Sequence, residues 1–243
     1  WAAILSAARI SETENPISAW HAHIERLQQR TAFLNAQAFT ELHYRNGLGT
    51  DLRIALPEGH IWMGGAEHSA AGTLFAANIP TEEVYTMPMR TGVNGTVFAS
   101  KPLHYNGNLI EDFSLTFRDG KVVGYDAEQG HEHLKELLET DEGASYLGEV
   151  ALVPHDSPIS QSGILFYNTL FDENASCHLA LGKAYPTCIE NGENMTENEL
   201  RQHGVNHSLV HEAFMIGTAD LTVIARKRSG ETVTIMEHGN FAF

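Results

Sequence analysis

The chain has 243 residues, 42% hydrophobic and 19% charged, which is enough to bury a core and too apolar for a disordered chain. Fifteen Lys and Arg against 31 Asp and Glu leave a formal charge of −16, which repels a phosphate backbone and sets nucleic acid aside as a partner. There is no apolar run long enough to span a membrane, and no signal peptide opens the sequence. Cys177 and Cys188 are too few for a disulfide scaffold and fit a reducing, cytoplasmic compartment.

Residues up to about 39 predict helix. Asn15-Pro16 marks an N-terminal boundary, and Ile17, Trp20, Ile24, Leu27, Phe33 and Leu34 recur near helical spacing. The chain opens on Trp1 rather than Met, inside an apolar-faced stretch, which predicts a larger parent protein. From about 41 the pattern turns to short β runs at 41–45, 51–56, 95–100, 113–118 and 121–126. Arg118-Asp119-Gly120-Lys121 puts Asp-Gly at the turn of the clearest hairpin, 113–126. A short helix over 131–140 leads into a buried strand over 147–153, and 220–235 predicts a second hairpin turning at Ser229-Gly230. No repeat or linker divides the chain, so the expectation is one α+β domain with a mixed, mainly antiparallel sheet.

Fourteen histidines are many, and position must separate them. His21, His23, His131 and His133 sit on predicted helices among polar neighbours and read as solvated faces. His131-Glu132-His133 is not the zinc-binding His-Glu-x-x-His, which needs its histidines four apart. The G-x-S-x-G elbow and the Walker loop are absent as well. Cys177 abuts His178 without a general base in view and reads as packing.

Other segments place polar groups inside apolar stretches. Glu149 lies between Leu147 and Val150-Ala-Leu-Val153, where an unpaired carboxylate costs several kcal/mol in order of magnitude. Lys and Arg are scarce nearby, so a cation is the natural partner. His178 and His211 are likewise embedded; each alone reads more readily as a hydrogen-bonded core histidine than as a ligand. Taken together, two Glu and two His from dispersed elements make a mixed nitrogen and oxygen set suited to zinc, cobalt or manganese.

At these segments the sequence resembles the aminopeptidase T, aminopeptidase S and PepS family of metallo-aminopeptidases. The likeness runs through Asn15-Pro16, Gly49-Thr-Asp-Leu52, the 78–86 segment, Ala99-Ser-Lys-Pro-Leu103 and Asp141-Glu-Gly-Ala144, nearly to the end. It implies an α+β domain with a barrel-like sheet and flanking helices. Residues 1–243 would form the C-terminal metal-binding catalytic domain, without the family's additional N-terminal α/β domain. It also implies two divalent ions, zinc or cobalt, with magnesium and manganese as further options. Glu83 of Thr-Glu-Glu, Glu149 of Leu-Gly-Glu-Val, His178 of Asp-Glu-Asn-x-x-x-His and His211 fall on ligand positions. Tyr185, seven residues beyond His178, falls on an active-site tyrosine. One position departs: Ala213 stands where the family pattern has a metal-binding Asp, and neighbouring Glu212 points the other way if the segment is extended.

The resemblance implies peptide substrates, release of N-terminal residues by metal-activated water, and a possible homodimer. Glu149 would bridge the metals, Glu82 beside Glu83 would be the general base, and Tyr185 would support the oxyanion. Ala213 predicts weak binding of at least one metal and reduced activity. The rival reading is an inactive fragment that serves as a dimerisation or peptide-binding module.

Overall fold

Asn15 Oδ1 accepts from the backbone N–H groups of Ile17 and Ser18, with Pro16 at the first helical position. The long helix therefore starts where its capping residues dictate. In the computed structural model, which describes residues Trp1–Phe243, α1 (Ala2–Ala7) precedes this α2 (Pro16–Gln37). Leu27 and Leu34 of α2 are fully buried against the sheet that follows.

That sheet holds β1 (Phe39–Arg45) and β2 (Asp51–Ala55). The chain then makes a small β3 (Glu67–His68) and β4 (Leu74–Phe75) hairpin before β5 (Val84–Thr86). Strands β6 (Val93–Phe98), β7 (Leu103–Tyr105), β8 (Asn108–Arg118) and β9 (Lys121–Gln129) come next, with α3 (His131–Leu138) after them. Strand β10 (Leu147–Leu152) leads through α4 (Pro158–Ser162) and α5 (Thr169–Asp172) to β11 (His178–Gly182). After α6 (Glu197–Gln202) the chain ends with β12 (His211–Met215), β13 (Thr222–Lys227), β14 (Thr232–Glu237) and β15 (Asn240–Phe241).

The strands form a nine-stranded sheet in the order β15-β14-β13-β1-β2-β6-β8-β7, with β9 on β8, and a four-stranded sheet β12-β11-β10-β5. All of these ladders are antiparallel. The α+β expectation holds; the large sheet has two ends and is not a closed barrel. The 113–126 hairpin turns at Asp119 and Gly120, both at positive φ, as a two-residue Asp-Gly loop requires. The second hairpin, β13 to β14, turns around Ser229-Gly230.

One core joins the two sheets. Phe113 of β8 meets Phe214 of β12 at 5.6 Å between ring centres, and Leu147, Val150, Leu152, Leu179 and Leu181 pack in the same cluster. All of β10 and β11 is buried, on both faces. With the leucines on the core face, the period-two alternation sends Glu149, Ala151, His178 and Ala180 to the other face. No helix is long and apolar enough to cross a membrane.

Candidate metal centre

Four donor side chains hang on that outer face of the small sheet. Glu83 immediately precedes β5, Glu149 is on β10, and His178 and His211 open β11 and β12. Glu149 reaches the face through a bulge, where the β10–β11 register slips between Leu147 and Glu149. Gly148 makes the bulge possible: a Cβ there would lie 2.3 Å from the Lys183 carbonyl oxygen and 2.4 Å from that of Gly182.

The centre of the cluster is His178, fully buried. Its Nε2 lies 3.1 Å from Glu83 Oε2 and 3.4 Å from Glu149 Oε1. Neither carboxylate lines up as a hydrogen-bond acceptor, so Nε2 has no hydrogen-bond partner. On the other side of the ring, Nδ1–H donates to the Ser176 carbonyl at 3.2 Å. His211 is held alike: Nδ1–H donates to the Lys183 carbonyl at 2.7 Å, and Nε2 faces Glu149 Oε2 at 3.6 Å. A backbone carbonyl on one ring nitrogen and a lone pair presented by the other is the arrangement of metal-ligating histidines.

One ligand atom each from Glu83, Glu149 and His178 lie within 4.8 Å of one another. Burial by itself would keep the His178 imidazole neutral, but Glu149 and Glu83 outweigh it and hold its pKa well above the ordinary histidine value. The site thus demands a positive charge on Nε2, and a metal ion can take the place of that proton. The donors fit a divalent cation.

A cavity of about 210 Å³ opens in front of them, lined by Glu83, Glu149, His211, Tyr85, Tyr185, Glu173 and Glu67 among others. A larger cleft of about 600 Å³ is lined by Glu58, His60 and Glu190, but these do not come within ligating distance of one another as a group of three. Tyr185 stacks obliquely on His211 at 4.7 Å between ring centres and is partly exposed. Burial raises its pKa, and Glu149, Glu173 and Glu83 raise it further, so the phenol keeps its proton at neutral pH.

Glu82 is not in this cavity. Consecutive side chains diverge, and its carboxylate turns to Arg9, whose Nη2 donates to both oxygens at 2.5 and 2.7 Å. Burial pushes the Glu82 carboxyl up to about 7 against the pull of Arg9. The structure thus departs from the general-base expectation for Glu82, because the side chain faces away from the metal ligands. His23 also corrects the sequence reading. It is buried rather than solvated, donates from Nε2 to the Thr81 carbonyl at 2.7 Å, and burial lowers its pKa to about 4.

Asn174 Oδ1 accepts from the Glu82 backbone N–H at 2.7 Å, so three groups clamp the 81–83 segment from behind. Cys177 is buried between Val153 and Met236, and burial pushes its thiol up to about 11, in keeping with packing.

A family profile described as thermophilic metalloprotease (M29) matches residues 1–241. The chain belongs to this family. It is 54% identical over its full length to aminopeptidase 2 of Geobacillus stearothermophilus, covering 58% of that relative. Aminopeptidase AmpS of Bacillus subtilis is 51% identical, with 59% of it covered. The solved structure of wild-type AmpT from Thermus thermophilus superposes with a TM-score of 0.92 at 44% identity, over all of this chain and 58% of the other. The chain thus spans rather more than half the length of these M29 relatives. Within this M29 chain the structure brings Glu83, Glu149, His211 and Tyr185 to one cavity, with His178 buried against the two carboxylates, and keeps Glu82 out.

Sequence reasoning missed Glu173. It follows α5, lines the cavity, and is pushed up to about 7 by burial, with Glu83 and Glu149 adding to the rise and His178 opposing it. It stands inside the Asp-Glu-Asn-x-x-x-His run, where the histidine drew the reading and the acid five residues earlier did not.

Proposed function

We propose that the chain is the metal-binding catalytic portion of an aminopeptidase that cleaves the first peptide bond of peptides with a free N-terminus. The observation that carries this reading is the buried, unpartnered His178 Nε2 between two carboxylates, its other nitrogen tied to a carbonyl. The M29 relatives, named as aminopeptidases, supply the reaction class. Divalent ions bound there, two in number and zinc or cobalt before magnesium or manganese, would supply an activated water and polarise the scissile carbonyl.

The chain's own residues do the rest. Glu83, Glu149, His178 and His211 would hold the cations, and the Ser176 and Lys183 carbonyls fix both imidazole rings. Glu149 faces both histidines through different oxygens, which suits a bridging carboxylate. The carboxylates around the cavity favour a substrate's α-ammonium at the inner end, which restricts cleavage to the terminal residue. Tyr185, protonated at neutral pH, would donate a hydrogen bond to the developing oxyanion. Glu82 acts from behind, as a positioning residue for Glu83.

The test is hydrolysis of an aminoacyl p-nitroanilide by chelator-treated chain, with and without added cobalt or zinc. Turnover should require metal and vanish when the substrate's amine is acetylated. Equal turnover in chelator would sink the reading. Ala213 supports a second reading, a peptide-binding or dimerising module without chemistry, because β12 then offers His211 as its sole donor on this face. Peptide and metal binding without turnover, and a dimer by sedimentation, would favour that reading.

A further inference from the structure

Helix α1 ends in two paired hydrogen bonds, Ile10 N–H to the Leu5 carbonyl at 2.8 Å and Arg9 N–H to the Ser6 carbonyl at 3.0 Å. The residue that follows the cap in this motif is left-handed and is usually glycine. Here it is Arg9, at φ 55, a conformation that disfavours any residue with a Cβ. The pair with Glu82 explains only part of that choice. Nη2 alone donates to both Glu82 oxygens, whereas an arginine serving a carboxylate commonly presents two nitrogens as a fork. Nε is buried without a hydrogen-bond partner, and Nη1 is not engaged by Glu82.

Arg9 lines a cavity of about 430 Å³ between α1 and α2. Arg26 enters the same cavity from α2, exposed and paired with no carboxylate. Arg30, one turn further along, is occupied over the Phe241 ring at 4.1 Å. Ser6 and Ser11 bring hydroxyls to the cavity, and Glu14 is the one carboxylate on its lining. Ile10, Ala19, Ala22 and Pro158 form an apolar wall beside these donors. Two guanidiniums and two hydroxyls offer more donors than the two oxygens of a carboxylate can take up. A phosphate group accepts at three oxygens and carries up to two charges. The volume is far larger than a bare phosphate fills, and the wall suits an apolar body attached to it.

We propose that this cavity binds a small organic phosphate, with its phosphoryl oxygens on Arg9 and Arg26 and its apolar body against Ile10, Ala19, Ala22 and Pro158. The site stands apart from the metal centre and does not depend on the reading of that centre.

The test is calorimetric titration of the 243-residue chain with phenyl phosphate, in chelator and at low salt. Without metal the carboxylates around His178 repel the probe, so the heat reports on binding elsewhere. Saturable binding of one probe per chain is expected, tighter than that of inorganic phosphate or of singly charged benzoate. Arg26→Gln should weaken it by about 10- to 100-fold through loss of a charge-assisted contact, with circular dichroism unchanged. Arg9→Lys keeps a cation beside Glu82 but removes Nε and Nη1, and it should weaken binding to a similar degree. Should that variant unfold, Arg26→Gln decides alone, because its side chain is on an exposed helix face. Arg118→Gln, at an exposed arginine of the β8–β9 hairpin, should bind like the parent. A parent that shows no saturable binding would overturn the proposal, as would parent-like affinity in Arg26→Gln. An equal loss in Arg118→Gln would overturn it too, by marking diffuse attraction in place of a site. Benzoate or inorganic phosphate binding as tightly as phenyl phosphate would overturn the assignment to an organic phosphate.

Discussion

Two buried charged clusters lie back to back on the 81–83 segment, and they are built on opposite principles. Behind it, Glu82 meets Arg9 while the neutral His23 holds the Thr81 carbonyl, so positive and negative charge balance within the protein. In front, Glu83, Glu149 and Glu173 gather around His178 with no arginine or lysine among the residues that line the cavity. A cluster that supplies its own countercharge is complete when the chain folds. A cluster that lacks it is completed by a cation from solution. Burial, raised carboxyl pKa values and a histidine are common to both, so none of these alone marks the functional side; the missing countercharge does.

The sharpest way to break this comparison is to remove the countercharge behind. Arg9→Met leaves Glu82 buried without its cation and should cost about 3–5 kcal/mol of stability by urea denaturation. Adding Glu82→Leu should recover most of that loss. An Arg9→Met cost below about 1 kcal/mol would mean the pair is solvated and the two clusters are not different in kind.

The front cluster should answer with the other sign. In chelator, Glu149→Gln removes one of three crowded carboxylates and should leave the melting temperature unchanged or raised. With cobalt at about 100 times its dissociation constant, the parent should gain about 2.7 kcal/mol and the Glu149→Gln variant much less. A parent whose melting temperature ignores cobalt would remove the basis for calling the front cluster a metal centre.

Much of the scaffold was legible because it rests on local signals. Asn15-Pro16 starts α2, Asp119-Gly120 closes the β8–β9 hairpin, and the apolar run around Glu149 is the fully buried β10. The site was legible in part: Glu149 betrayed itself as a carboxylate in an apolar strand, and His178 as a histidine in another. Glu82 and Glu83 could not be separated that way, because both are buried and only the three-dimensional position of Arg9, 73 residues earlier, tells them apart. His23 was misread for the same reason. Its polar helical neighbours suggested solvent, and its partner Thr81 lies 58 residues away. Glu173 was missed because a short turn carries no periodicity to expose it.

The smallest expected effect lies at the strut that delivers His211 to the front cluster. Asp141 accepts from the Ser208 hydroxyl and from the backbone N–H groups of Leu209 and Ala144, tying down the loop that enters β12. Nearby, Asn206 bridges the Gly143 and Gly182 carbonyls. What burial Asp141 has works to raise its pKa, but the Leu209 and Ser208 donors prevail and hold it below the ordinary carboxylate value. A depressed pKa gives stability that is present above the unfolded value, near 3.9, and is lost as pH falls through the folded one. Asp141→Asn should therefore cost about 1–2 kcal/mol at pH 7, through weakened acceptance of these hydrogen bonds. The gap between variant and parent should close as the pH is lowered beneath the folded pKa. Because the strut touches the loop and not the donors, cobalt affinity should fall only slightly. A gap that persisted in acid would show that Asp141 acts through shape rather than charge, and that the loop is held chiefly by Asn206.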